Sequence, residues 1–79
     1  MTTTAFLNEL CDALGVKHGS LSREDSPATI KQWDSIGHLT MIATIDDCLD
    51  VSVEDGDLRT FTSIGELLDR LKARDALED

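Results

Sequence analysis

The sequence predicts an all-α fold: a small four-helix bundle, three longer helices and one short one, with a long loop between helices one and two. Apolar residues recur at three- and four-residue spacing in three separate stretches, and capping residues stand before each of them. The remaining apolar run long enough for a strand, 49–53, has no second run to pair with.

The first helix is expected over about 4–14. Phe6, Leu7, Leu10 and Leu14 mark its inner face, the threonines at 2 to 4 offer an N-cap, and Gly15 is placed to end it. Residues 15–33 hold Gly15, Gly19, Ser20, Ser22, Ser26 and Pro27 with no sustained period, so they read as a loop. Loops of this length inside a small domain are usually functional or disordered. Val16, Leu21, Ile30 and Trp33 are its expected anchors.

Asp34 is a good N-cap for a second helix over about 35–49. Ile36, Leu39, Ile42, Ile45 and Leu49 form its apolar side, with Thr40, Thr44 and Asp47 opposite. A short third helix over about 57–61 would turn Leu58 and Phe61 inward. Ser63 and Glu66 match a capping box, in which hydroxyl and carboxylate satisfy reciprocal backbone amides. They open a fourth helix over about 63–74 with the stripe Ile64, Leu67, Leu68 and Leu71. Arg70, Lys72 and Arg74 suit the negative end of its dipole, and residues 75–79 are expected to fray.

Seventy-nine residues fit one domain, 1–79, with too little interior for both a core and a deep catalytic cleft, so no enzyme is expected. Phe6, Trp33 and Phe61 are the sole aromatic residues, which leaves an aliphatic core. Sixteen acidic against seven basic residues, net −9, repel nucleic acid and anionic membrane surfaces and favour a monomer, and the charge serves either partners with basic docking faces or solubility alone. No stretch is apolar enough to cross a bilayer. Cys11 and Cys48 sit in apolar-periodic segments rather than at disulfide-scaffold spacing, and no leader-like segment precedes them, which points to a reducing cytoplasm.

The chemistry concentrates at Trp33-Asp34-Ser35-Ile36, where one serine begins a helix directly after a long loop. A residue in the first turn is exposed, and the unpaired amides and positive dipole end there stabilise an attached phosphate. Asp34-Ser35-Ile36 at the head of the second helix, with a short helix and a capped final helix following, resembles the acyl carrier protein family, whose motif is usually Asp-Ser-Leu. The resemblance covers essentially the whole chain.

It implies a 4′-phosphopantetheine arm, taken from coenzyme A, on Ser35, with Asp34, Ile36 and His38 beside it and the arm's thiol holding cargo as a thioester. The implied partners are a phosphopantetheinyl transferase, an acyl- or aminoacyl-loading ligase, and acyltransferase or condensing enzymes. They would dock on the second helix, at Thr40, Met41, Asp46 and Asp47. Met41, Ile45, Phe61, Ile64 and Leu68 would line a cargo cleft between helices two, three and four. The chain departs from the fatty-acid-synthesis pattern: Gly37 and His38 follow the motif, Thr40 stands where glutamate is common, and Leu49 where phenylalanine is frequent. Rim charge governs partner choice and encounter rate, so these departures point to a specialised polyketide-like or aminoacyl pathway.

Other chemistries fit poorly. A serine hydrolase needs a base, an orienting acid and an oxyanion pocket, and the nucleophile-elbow pattern is half present around Ser35. The cysteines and histidines lack zinc spacing, and counting from Gly56 would place Val51 and Val53 at calcium-ligand positions, so no metal is expected. The competing reading is an acidic helical protein-interaction module without a prosthetic group.

Overall fold

A computed structural model describes residues 1–51 and 61–78. These form three helices, α1 (Thr3–Leu14), α2 (Ser35–Leu49) and α3 (Ile64–Ala73), and contain no strand. The expected four-helix bundle is therefore corrected to three helices around one core. The short helix expected at 57–61 lies outside the described residues apart from Phe61, which stands in non-helical backbone. Its sequence signal was two apolar residues three apart, too few for periodicity to define an element.

Each helix is closed by local hydrogen bonds. The Thr2 hydroxyl accepts from Ala5 N–H and caps α1, and Gly15, at φ 74°, ends it. Gly15 N–H reaches the Asp12 carbonyl at 3.2 Å and Val16 N–H the Cys11 carbonyl at 2.9 Å, a Schellman pairing that needs a left-handed residue. In α3, Ser63 Oγ accepts from Glu66 N–H at 3.1 Å. The Glu66 carboxylate accepts from Thr62 rather than Ser63, from its hydroxyl at 2.6 Å and its N–H at 3.3 Å. The capping box is thus displaced by one residue on its carboxylate side.

One core joins the elements. α1 packs on α2, and Phe6, Leu10, Cys11 and Leu14 meet Met41, Ile45, Ile64, Leu67, Leu68 and Leu71 with almost no exposed surface. α2 buries Gly37, Met41 and Ile45, a stripe every four residues. The apolar side expected of it is only partly inward: Ile45 is buried and Ile42 and Leu49 half-buried, while Ile36 and Leu39 point to solvent. The chain after α3 does not fray within the described residues. Asp75 takes a left-handed conformation (φ 57°), a second Schellman pairing follows, and Leu77 is buried.

The long connection 15–33 is a chain of turns tied to both neighbours. Leu21 and Trp33 are buried in the core, and Val16 and Ile30 pack against it. Asp25 organises the middle: its carboxylate accepts from Ser22 N–H at 2.8 Å and from the Thr29 hydroxyl at 3.0 Å. The carbonyls of Asp25 and Arg23 accept the Ile64 and Gly65 amides, both at 3.0 Å, so the loop supplies acceptors that α3 lacks at its own start. The Arg23 guanidinium then grips both Asp69 oxygens at 3.0 Å.

At its other end the loop lies on α2. A β-carbon on Gly37 would overlap the Gln32 carbonyl oxygen and crowd Leu14. Gly37 is therefore the surface on which the last loop residues rest. The Gly37→Ala variant is expected to lose about 3 kcal/mol of stability, the upper range for overpacking, because a backbone carbonyl cannot rotate away as a side chain does. Urea unfolding of the two proteins measures this, and equal midpoints would remove the contact from the account.

The two Thr62 hydrogen bonds, hydroxyl first, hold the Glu66 carboxyl below the usual carboxylate range, with Arg70 adding to the effect. A carboxyl lowered on folding stabilises the protein above its unfolded titration range, and that contribution is lost as pH falls toward the lowered value. Thr62→Val removes the larger cause. It should move the onset of acid unfolding to higher pH, as followed by circular dichroism.

Candidate functional site

Ser35 is the first residue of α2, with its side chain at the surface. Asp34 sets this position. From extended backbone its carboxylate accepts Gly37 N–H at 2.8 Å and its carbonyl accepts His38 N–H at 2.8 Å, so the chain passes from loop to helix within one residue. The first-turn amides and the dipole favour negative charge at this end.

Beside Ser35 lies an open depression of about 530 Å³ lined by Pro27, Trp33, Asp34, Ser35, His38 and Leu39. Loop and helix contribute to it together, which depends on the loop's seat at Gly37. The indole of Trp33 is 4% exposed and forms part of the wall. Its Nε1–H donates to His38 Nδ1 at 3.1 Å. That bond requires an unprotonated Nδ1, so a neutral His38 carries its proton on Nε2. The two rings are nearly parallel, 9° apart, and both touch Phe61, with centroids 5.4 Å from Trp33 and 4.8 Å from His38.

The residues singled out in the sequence fall into three groups. Asp34, Ser35 and His38 meet at the depression, and Ile36 stands next to it, 75% exposed, with Leu39 66% exposed one turn on. Thr40 is exposed, its hydroxyl donating to the Ile36 carbonyl at 2.9 Å, and Asp46 and Asp47 are exposed at the far end of the helix. Met41, Ile45, Phe61, Ile64 and Leu68 belong to the close-packed core. Met41, expected on the docking face, is fully buried there.

Pro27 and the Trp33–His38 bond were not singled out from sequence. A buried indole needs an acceptor for its N–H, and His38 is the nearest side chain along the helix able to accept and still stack, so the bond had a signal. Of the cysteines, Cys11 is fully buried, and Cys48 is half-buried. Burial, and then the carboxylates of Glu9 and Asp47, push the Cys48 thiol up. Among the described residues no cluster of His, Cys, Asp and Glu suits a metal ion, and no helix is long and apolar enough to cross a membrane.

Fold and site together define a small helical domain that presents one capped serine next to an aromatic-walled depression. Comparison with protein-family models, with curated proteins and with solved structures found no match to the chain.

Replacing Asp34 separates its two properties. Asp34→Ala should cost about 1 kcal/mol through the lost cap, whereas Asp34→Asn, which keeps a capping oxygen, should cost only a few tenths. Thermal unfolding of both variants decides it. An equal loss in both would mean that charge, not the cap, matters.

Proposed function

We propose that this chain is a carrier protein whose Ser35 bears a 4′-phosphopantetheine arm, serving a specialised polyketide-like or aminoacyl pathway and performing no catalysis itself. The observation that carries the reading is the placement of Ser35: exposed, first in α2, fixed by the Asp34 cap, and bordering a depression large enough for a flexible arm. When bound, the arm supplies a thiol that holds cargo as a thioester.

The chain's own residues do the rest. Asp34 fixes the helix start and adds negative charge beside the attachment point. The first-turn amides and the helix dipole stabilise the phosphodiester, and Trp33, His38 and Pro27 give the arm a surface to lie on. Ile36 and Leu39, exposed one turn apart, offer an apolar patch at the Ser35 end of α2, and Asp46 and Asp47 offer charge at the other. Such a mixed strip suits brief docking by a transferase, a loading ligase, or an acyltransferase or condensing enzyme. Tethering raises cargo concentration at each partner's active site.

The same exposed pair, Ile36 and Leu39, also favours a second reading, an acidic interaction module with no prosthetic group. The two separate cleanly by mass. Incubation with coenzyme A, magnesium and a broad-specificity phosphopantetheinyl transferase should add one phosphopantetheine to the wild type and none to Ser35→Ala. A folded wild type that stays unmodified with several such transferases would favour the interaction module.

A further inference from the structure

The wall behind Ser35 bears on what the site can hold. Trp33 and His38 line the open depression on one side. On the other they touch Phe61, 5% exposed, which belongs to the same buried core as Met41, Ile45, Ile64 and Leu68. The two rings are one hydrogen-bonded unit, Trp33 Nε1–H to His38 Nδ1, that bridges the loop and α2. Passage from the depression to the interior would separate these rings and leave a part-buried indole N–H without its acceptor, an unfavourable change.

From this we infer that His38 is a specificity-determining residue: by holding the indole of Trp33 against Phe61, it keeps cargo on Ser35 in the open depression and out of the apolar core. The inference rests on the carrier reading and narrows its substrate class. The depression is open to water, so an alkyl chain lying against Pro27, Trp33 and Leu39 keeps much of its surface hydrated, whereas short or polar acyl and aminoacyl groups lose nothing by staying wet. His38 acts through Trp33 and is a positioning residue, with no part in chemistry.

The test loads wild type, His38→Ala and His38→Asn with acetyl- and octanoyl-pantetheine from the matching coenzyme A thioesters and records methyl NMR shifts of Ile45, Ile64 and Leu68. In wild type the two chain lengths should leave these interior shifts alike. In His38→Ala the octanoyl form alone should move them, and the Trp33 indole N–H should exchange about tenfold faster, the scale of one lost hydrogen bond. His38→Asn, which keeps an acceptor near the place of Nδ1, should leave the interior shifts alike for the two chain lengths and guards against a general loss of fold.

Interior shifts that respond to octanoyl in the wild type as strongly as in His38→Ala would overturn the inference. Intact mass reports loading separately. If Ser35 takes no arm, the carrier reading fails, and acetyl- and octanoyl-cysteamine are joined by disulfide to a Ser35→Cys, Cys48→Ser protein. The same shifts then judge the wall by the same criterion.

Discussion

The contact between the Gln32 carbonyl and Gly37 underlies the rest of the site. It brings the end of a nineteen-residue connection, 15–33, directly onto α2. Only with that seat do Trp33 and Asp34 arrive where one can wall the depression and the other can cap the helix. A residue with a β-carbon at position 37 would lift the loop, and cap, wall and serine would part company. The same glycine spaces α2 from Leu14, so one missing methyl group serves both the core and the surface.

The loop is held in its middle and at its end by backbone groups. At the α2 end its carbonyl fills the space a side chain would take; in the middle, the Arg23 and Asp25 carbonyls accept amides that α3 cannot satisfy internally. Side-chain bonds from Asp25 and the Arg23–Asp69 pair add to this at the surface, where ion pairs contribute little. Backbone pairing depends little on side-chain identity, and Glu24, Ala28 and Lys31 are exposed positions of the loop.

Much of this was legible in the sequence because it rests on local chemistry. Gly15 as a helix stop, Asp34 and Ser63 as caps, and Leu21 and Trp33 as loop anchors each follow from a residue's own conformational or polar preference. What was not legible depends on contacts far along the chain. The face of α2 was misjudged because Ile36 and Leu39 are as apolar as the core residues, while the actual inner stripe begins with a glycine that no hydrophobicity pattern would choose. Among the described residues the helices number three, and the fourth expected one rested on two apolar residues three apart, too few to define an element. The ordered chain after α3 was missed because it depends on Asp75 adopting a left-handed turn, which glycine would have announced and aspartate does not. Around Ser35, the cap at Asp34 is legible in the sequence, whereas the joining of Trp33 to His38 is signalled only by the indole's need for an acceptor, because it also requires the loop to be already in place.

The state of the two cysteines carries a further consequence. A thioester migrates to any nearby thiolate, and a carrier with a reactive cysteine of its own would strip its cargo onto itself. Cys11 has no exposed surface, and burial, then the negative charges of Glu9 and Asp47, bias Cys48 toward the protonated thiol. Under the carrier proposal this would be chemical orthogonality: a thioester at Ser35 would meet one cysteine with no exposed surface and one held toward its protonated form.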